Sequence, residues 1–203
     1  MLDSSGFDLW ANGYDQSVRL SEEAKEYPFA GYKDVLNRIY NRIRKGNGKK
    51  ILDIGFGTGI LAKKLYDDGV KIYGMDFSPE MLRLAGAKMP NAVLLCHDFS
   101  KGFPSELEDE KFDFIICTYA IHHLTEEEKT GFLQETKKYL VPGGEILVGD
   151  VAFETRRELD ECRQRAGEEW DDEECYLIAE ELAKAFPDME FERVSYCSGI
   201  CRF

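Results

Sequence analysis

Residues Lys50–Gly59, KILDIGFGTG, carry the strongest fold signal in this chain. Its apolar half, Ile51–Ile54, is too short for a helix and too continuous for a half-exposed strand. This pattern predicts a strand buried on both faces, as in a parallel sheet. Glycines then follow at alternate positions, where the backbone can turn sharply and approach a ligand with no Cβ in the way. These glycines are Gly55, Gly57 and Gly59.

A helix is predicted to follow the glycine turn, with Thr58 as its N-cap and Gly69 as its stop. A strand, a glycine turn and a helix N-terminus together favour a nucleotide-type site at the carboxyl edge of a sheet. The glycine spacing is G-x-G-x-G, because Ile60 stands where a dinucleotide fingerprint has its third glycine. Asp53 precedes the first glycine by two positions.

Composition narrows the class of protein. The chain has 203 residues, of which 43% are hydrophobic and 32% charged, as expected for one globular domain. The net charge of −13 would repel phosphate backbones and anionic lipids, so we expect no nucleic-acid or membrane partner. No segment approaches the roughly 18 apolar residues of a membrane span, and the N-terminus does not read as a signal peptide.

Six cysteines are spread through the chain, with Cys96 and Cys117 inside apolar runs where buried thiols are common. Cys197 and Cys201 are close in sequence but have no nearby second pair or histidine to complete a zinc site. We therefore expect six structural thiols, no metal site and a reducing cytoplasmic location.

Residues 1–46 precede the first predicted strand. They include an amphipathic helix from about Ala30 to Arg44. Two interpretations stay open for this segment: a plain cover over one end of the sheet, or a lid that closes aromatic rings over a ligand. The rings concerned are Trp10, Tyr14 and Tyr32.

Four further strands are predicted along the chain, at Lys71–Phe77, Ala92–Cys96, Phe112–Tyr119 and Glu145–Val151. Asp76 ends the second strand about 20 positions beyond the glycine turn, where a carboxylate can accept hydrogen bonds from ribose hydroxyls. After the third strand, Asp98 can accept from an adenine amino group and Phe99 can pack on the ring. Helix starts are predicted at Ser78, with Pro79 after it, and at a Thr125–Glu128 capping box. Met81, in the first of these helices, lies either beside the cofactor or in the core.

The alternation of strands and helices predicts an α/β fold with a doubly wound, mostly parallel sheet and an N-terminal helical cap. We divide the single domain into a cap or lid at residues 1–46, a cofactor-binding core at 47–151, and C-terminal helices with the last strand or strands at 152–203. The acidic run EEWDDEE at 168–174 is interpreted as a solvated face and helix start, residues 152–188 as helical, and Ser198–Gly199 as a turn or bulge.

Four segments carry a family resemblance. They are ILDIGFGTG (51–59), YGMDFS (73–78), HDF (97–99) and the block from FDFIICTYAIHHL (112–124) to LVPGGEILV (140–148). In this order they resemble class I S-adenosylmethionine-dependent methyltransferases, the small bacterial Rossmann-like type. The resemblance covers about half the chain, and it implies a seven-stranded sheet whose last strand is antiparallel.

The resemblance also implies roles for single residues. The glycine turn would pass under the methionine part of the cofactor, and Asp53 would reach its amino group. Tyr119 and Ala120 would line the site near the sulfonium, and Tyr14 would sit over the cofactor. The full expected cofactor set is Asp53, Gly55, Gly57, Thr58, Gly59, Asp76, Phe77, Met81, Asp98, Phe99, Tyr119, Ala120 and Tyr14.

Methyl transfer from a sulfonium needs no protein nucleophile or metal, because the cofactor supplies the electrophile. A base is needed only for an acceptor that is protonated at neutral pH. Our catalytic candidates are His123 and Tyr14, and His122 and Asp150 are further possible bases.

The sequence Thr118–Ile121 lacks the Asn/Asp-Pro-Pro-aromatic run of adenine and cytosine amino methylases. The missing run and the negative charge favour a small-molecule acceptor, and the acidic run at 168–174 suits a neutral or cationic one. We expect a monomer or homodimer. Two other functions stay open: an NAD-dependent oxidoreductase, and a non-catalytic S-adenosylmethionine-binding module that regulates a partner.

Overall fold

The computed structural model describes residues 26–203, so Trp10 and Tyr14 lie outside the described part of the chain. Within it, the strands are β1 (Lys50–Ile54), β2 (Lys71–Asp76), β3 (Val93–Cys96), β4 (Phe112–Thr118), β5 (Leu140–Phe153), β6 (Leu177–Ile178), β7 (Glu190–Arg193) and β8 (Ser198–Arg202). The helices are α1 (Tyr32–Lys45), α2 (Ile60–Asp67), α3 (Pro79–Lys88), α4 (Glu126–Thr136), α5 (Arg156–Ala166) and α6 (Ala179–Leu182).

The strands form one mixed sheet in the order β3-β2-β1-β4-β5-β8-β7, and the short β6 pairs with β5 off this path. The neighbours from β3 to β5 are all parallel. β8 is antiparallel to both β5 and β7. The predicted doubly wound, mostly parallel sheet is therefore confirmed, and seven strands lie on the main path.

The helices cover both faces of the sheet because alternate strand residues face opposite layers. In β1, Ile51 joins the core under α1, α2, α3 and α5, whereas its neighbour Leu52 joins the core under α4 and α6. Both side chains are fully buried, and each such burial contributes about 1.5–3 kcal/mol to stability. Among residues 26–203, no helix has the length and apolar character needed to cross a membrane.

Helix α1 packs closely on β5. A Cβ at Gly149 would lie 2.4 Å from the Val35 side chain, so a residue without a side chain is needed where this helix meets the sheet. Tyr32 contacts Tyr119, with ring centroids 4.9 Å apart. The helical part of the N-terminal segment is thus a cover over the sheet, and it begins at Tyr32 rather than at Ala30.

The two predicted helix starts are confirmed. The Met81 N–H donates to Ser78 Oγ at 3.2 Å ahead of α3. At α4, the Glu128 N–H donates to Thr125 Oγ1 at 3.3 Å and the Thr125 N–H donates to Glu128 Oε2 at 2.8 Å. This reciprocal pair is a capping box.

Other local predictions were wrong. Thr58 does not cap α2: Gly59 is the N-cap, with φ 74° and no side-chain hydrogen bond, because the left-handed turn sets the helix start one residue later. Cys96 is exposed rather than buried, since β3 is an edge strand. β5 is longer than expected, and it begins at Leu140, which pairs with Phe112 across a register shift.

The C-terminal quarter differs most from expectation. The predicted helical stretch 152–188 contains the strand β6 between α5 and α6. Ser198 and Gly199 begin β8 and are not a turn. Glycine is needed there because a Cβ at Gly199 would lie 2.4 Å from the ring of Phe191 on the neighbouring strand.

Candidate active site

The carboxyl ends of β1, β2 and β4 meet at one edge of the sheet, as parallel strands with right-handed crossovers require. Gly55 follows β1, Asp76 ends β2, and Tyr119 follows β4. The Gly55 N–H donates to Met75 O, and the Tyr119 N–H donates to Gly149 O, both at 2.8 Å. These bonds extend the ladders past the strand ends and fix the residues that follow.

A cavity of about 470 Å³ opens at this edge. Eight of the expected cofactor residues line it, in addition to the catalytic candidate His123 and the further candidate His122. The eight are Gly55, Gly57, Asp76, Phe77, Met81, Phe99, Tyr119 and Ala120. Gathering these residues from the four strand ends of β1 to β4 makes a site large enough for a small organic ligand.

The carboxylate of Asp76 is held in place by backbone donors. The Gly57 N–H donates to Asp76 Oδ2 at 2.9 Å, and the Ser78 N–H donates to Asp76 Oδ1 at 3.0 Å. The carboxylate is 6% exposed and lies at the cavity. Each carboxylate oxygen can accept more than one hydrogen bond, so Asp76 can bind ligand hydroxyls while it orients the glycine turn.

The glycine turn leaves little room on one side and much on the other. A Cβ at Gly55 would lie 2.5 Å from the Ala120 Cβ, so glycine is required where β1 and β4 meet. A Cβ at Gly57 would meet no protein atom within 4 Å. Tyr119 adopts φ 49°, an uncommon conformation for a residue with a side chain, and such strain is often found at ligand sites.

Four expected cofactor residues within the described part of the chain do not line the cavity, although each lies within two positions of a residue that does. Gly59 packs against α3, where a Cβ would lie 3.3 Å from the Ala85 Cβ, and Thr58 is buried beside it. Asp98 accepts from the Ser100 N–H at 3.0 Å and is the N-cap of the turn that follows. Although partial burial raises its pKa, bonds from Ser100 and Lys101 more than offset this and lower the pKa of Asp98.

The fourth, Asp53, is 2% exposed on β1, and its Oδ1 has no hydrogen-bond partner among the described residues. Burial, with a smaller contribution from the charge of Asp76, raises the pKa of Asp53 well above its usual value. A buried oxygen without a partner is costly, so an acceptor is left available directly behind the glycine turn.

A second group of side chains lines the cavity beyond Tyr119. His122 Nδ1 lies 2.7 Å from Asp150 Oδ1, and His122 Nε2 lies 3.5 Å from Glu174 Oε1. Burial disfavours the charged form of His122, but the carboxylates of Asp150 and Glu174 more than offset burial and raise its pKa. His122 is therefore held between two acids with one ring nitrogen toward the cavity.

The second histidine of the pair behaves differently. Burial and then the neighbouring His122 lower the pKa of His123 to about 4, so His123 is neutral at pH 7. His122, His123 and Glu174 place nitrogen and oxygen donors within 4.8 Å of one another, a spacing at which a metal ion could also bind. The two imidazole rings meet edge to face, with centroids 4.3 Å apart.

Comparison with known proteins identifies the family. A family model described as "Methyltransferase domain" matches residues 51–144. An uncharacterised methyltransferase of Geobacillus sp. (strain WCH70) is 35% identical over 192 residues, covering 91% of this chain and 87% of the relative. The uncharacterised methyltransferase YrrT of Bacillus subtilis (strain 168) is 33% identical over 160 residues, covering 79% of this chain and 72% of the relative. The chain belongs to the class I S-adenosylmethionine-dependent methyltransferase family.

Solved structures share the fold of this methyltransferase. A DhpI–SAH complex has a TM-score of 0.71 at 18% identity and covers 98% of this chain and 93% of the other. NodS from Bradyrhizobium japonicum WM9, an N-methyltransferase in complex with S-adenosyl-L-homocysteine, has a TM-score of 0.63 at 15% identity, covering 93% and 96%. These structures confirm the predicted fold class, and the relatives above confirm the predicted methyltransferase family.

Sequence reasoning missed one wall of the methyltransferase cavity. The sequence predicts a solvated face and helix start for the acidic run, yet Glu169, Asp171, Glu173 and Glu174 all line the cavity. The Cys175 N–H donates to His122 O at 2.9 Å and therefore ties this loop to the histidine pair. The loop lies far along the chain from the glycine turn, and only its charge, which suits a neutral or cationic acceptor, linked it to the site.

An aromatic group next to the loop was missed as well. The Tyr27 ring stacks on Trp170, with centroids 5.1 Å apart, and meets Tyr176 edge-on. Tyr27 and Tyr176 share a hydrogen bond between their hydroxyls, and both line the cavity with Phe29. Burial raises the pKa of Tyr27 to about 12, so it stays protonated. Tyr32, one of the three rings named under the lid interpretation, does not line the cavity.

Proposed function

We propose that this methyltransferase transfers a methyl group from S-adenosylmethionine to a small-molecule acceptor bound in the same cavity. One observation carries the proposal: a single cavity runs from the glycine turn and Asp76 to His122 and Tyr176. The first part, at the glycine turn and Asp76, contains the expected cofactor residues. The second part, at His122 and Tyr176, is lined by side chains from the N-terminal segment and from the acidic loop. The whole chain would be one catalytic domain, and a cytoplasmic monomer or homodimer stays a prediction.

S-adenosylmethionine would be held in the first part of the cavity, the cofactor half, by residues at the strand ends. Asp76 would accept hydrogen bonds from the ribose hydroxyls, and Phe99 would pack on the adenine. The turn at Gly55 and Gly57 would allow the backbone to lie against the methionine part, with the acceptor oxygen of Asp53 behind it. Thr58, Gly59 and Asp98 would support this turn and the adenine end from outside the cavity.

Bound S-adenosylmethionine supplies an electrophilic methyl group. The protein then has to hold the acceptor atom in line with that group in a dry site, and alignment of this kind can contribute about 7–11 kcal/mol to catalysis. Aromatic rings around the cavity would exclude water. The acceptor atom would bond to the methyl carbon as the bond from carbon to sulfur breaks, and the electron pair of that bond would stay on sulfur, so that S-adenosylhomocysteine leaves.

An acceptor that starts with a bound proton needs a base. We place this role on His122 rather than on His123. Asp150 holds Nδ1 of His122, so that Nε2 can take the proton at the cavity. His123, with its pKa lowered to about 4, is a weaker base at neutral pH. Tyr14, the other catalytic candidate, lies outside the described residues and stays a prediction.

Calorimetry tests the cofactor assignment. We expect S-adenosylmethionine and S-adenosylhomocysteine to bind and NAD not to bind. Asp76→Ala should weaken S-adenosylhomocysteine binding by about tenfold or more, because ribose hydroxyls lose a charged acceptor. The exposed Asp109, outside the cavity, gives a matched control in Asp109→Ala. NAD binding without S-adenosylmethionine binding would assign the chain to the oxidoreductases instead.

A product screen tests the enzyme assignment. Purified protein with S-adenosylmethionine is offered amines, phenols, thiols and carboxylic acids, and release of S-adenosylhomocysteine is measured. We expect turnover with at least one class, and a lower rate in His122→Gln if its acceptor must lose a proton. Cofactor binding with no turnover across the panel would favour the non-catalytic regulatory module.

A further inference from the structure

The charged side chains that line the cavity are mostly acidic. Five carboxylates line it: Asp76 and the four from the acidic loop. Among the described residues that line it there is no lysine or arginine, and His122 and His123 are the only basic side chains. Asp76 is assigned to the cofactor ribose in the proposed function. The loop carboxylates therefore belong to the part of the cavity left for the acceptor.

The loop carboxylates are held against the cavity by several contacts. Lys129 is 2% exposed, and its ammonium group donates to Cys175 O from beneath the loop. The Asp171 N–H donates to Tyr27 Oη at 3.1 Å, and Asp171 Oδ1 accepts from the Glu173 N–H at 2.8 Å. A solvated acidic face would need no buried cation to anchor it. These contacts instead hold the loop as a wall of the site.

Glu174 is the innermost of these acids. Its side chain is 24% exposed and lies 3.5 Å from His122 Nε2, whereas Asp171 and Glu169 are exposed where they line the cavity. A ligand that covers a carboxylate removes it from water, and this is costly unless the ligand brings an opposite charge. Glu174 already has His122 beside it, but a neutral acceptor that covers Glu169 and Asp171 would pay this cost without compensation, and an anionic acceptor would also be repelled.

Aromatic faces complete the same part of the cavity. Tyr27, Phe29 and Tyr176 line it, and Trp170 backs Tyr27 by stacking. Aromatic faces attract cations, and carboxylates together with aromatic rings suit an organic ammonium group better than they suit a hydrated metal ion. We propose that the acceptor of this methyltransferase carries an ammonium group, bound between the loop carboxylates Glu169, Asp171 and Glu174 and the rings of Tyr27 and Tyr176.

This inference rests on the proposed function, so the test begins with protein saturated with S-adenosylhomocysteine, which occupies the cofactor half. Three probes share one phenyl ring and differ in charge: 2-phenylethylammonium, 2-phenylethanol and 3-phenylpropionate. Titration calorimetry measures their dissociation constants with and without EDTA. We expect the ammonium probe to bind about tenfold tighter than the alcohol, and the carboxylate probe to bind weakest.

A neutralised variant, Glu169→Gln/Asp171→Asn/Glu174→Gln, should reduce the ammonium preference to less than about twofold. Asparagine at 171 keeps an oxygen for the Glu173 N–H, so the loop keeps that bond. The matched control, Glu168→Gln/Glu127→Gln/Asp109→Asn, removes the same number of charges from exposed residues that do not line the cavity. The control should keep the full preference. Thermal melting and S-adenosylhomocysteine binding report whether both variants are folded.

Equal dissociation constants for the three probes, tighter binding of the carboxylate probe, or no saturable binding of the ammonium probe would overturn the inference. A preference that EDTA abolishes and Zn²⁺ restores would also overturn it, because His122, His123 and Glu174 would then bind a metal. In each of these cases the protein still binds S-adenosylhomocysteine and the proposed function survives. Failure to bind S-adenosylhomocysteine would instead remove the proposed function itself.

Discussion

Gly57→Ala separates the effect of a side chain in the cavity from the effect of backbone strain. Gly57 has φ 54° and lines the cavity, and a Cβ there would meet no protein atom within 4 Å. Gly69 has φ 84° and equally open surroundings, but it lies outside the cavity. Gly69→Ala is therefore a matched control with the same kind of strain.

The magnitudes follow from the two geometries. A left-handed alanine costs about 1–2 kcal/mol, so both variants should lose about 2–8 °C in Tm. Only Gly57→Ala adds a methyl group where the cofactor would contact the turn. Overpacking of this size costs about 1–3 kcal/mol, which is about a 5- to 150-fold weaker binding of S-adenosylhomocysteine.

Scanning calorimetry measures Tm and titration calorimetry measures the dissociation constant. We expect equal losses of Tm in the two variants and weaker binding in Gly57→Ala alone. If Gly57→Ala binds as tightly as the wild type, the cofactor does not approach this turn and our placement of it is refuted. If Gly69→Ala loses as much affinity, backbone strain rather than the methyl group accounts for the effect.

Three further predictions concern pH, capping and the acidic loop. His123 binds a proton near pH 6.5 in the unfolded chain but only near pH 4 in the folded protein, so the free energy of unfolding should fall by about 3 kcal/mol as pH falls through this window. Urea unfolding at pH 7 and pH 4.5 should show a smaller loss of stability in His123→Gln than in the wild type, and an equal loss would refute this role of His123. Thr125→Ala removes the acceptor of the Glu128 N–H and should cost about 1 kcal/mol with S-adenosylhomocysteine binding unchanged; an unchanged Tm would contradict the capping role. Lys129→Met removes the bond to Cys175 O, so hydrogen exchange measured by mass spectrometry should be faster at residues 170–176 and unchanged in β4; unchanged exchange in the loop would show that Lys129 does not anchor it.

The part of the cavity that we propose for the cofactor could be predicted from the sequence because its signals are local. A buried strand followed by alternate glycines needs about ten residues to recognise, and Asp76 is marked by its place at the end of the next strand. Parallel topology then brings these ends together wherever the helices lie. The capping residues Ser78 and Thr125 were likewise predictable, since a cap bonds to an amide three positions away.

One error in this part of the chain came from backbone geometry. Thr58 has the chemistry of a cap, but the left-handed Gly59 took that position. Asp98 is an N-cap in the structure and pairs with Lys101 at 3.1 Å, and its role as an adenine acceptor stays a prediction. Residue type therefore indicated what these side chains could do, and the local turn decided which hydrogen bonds they made.

The parallel sheet, its edge and the residues that gather there follow from short-range patterning and the handedness of crossovers, so the amino-acid sequence was enough to predict them. The part of the cavity that we propose for the acceptor depends on the packing of distant segments. Asp150 meets His122 across 28 positions, and Tyr27 meets Tyr176 across 149. Such pairs have no signature in a single sequence, since their contacts depend on how α1, β5 and the acidic loop pack. The negative charge of residues 168–174 is evident in the sequence, but their position at the cavity follows from how the chain folds.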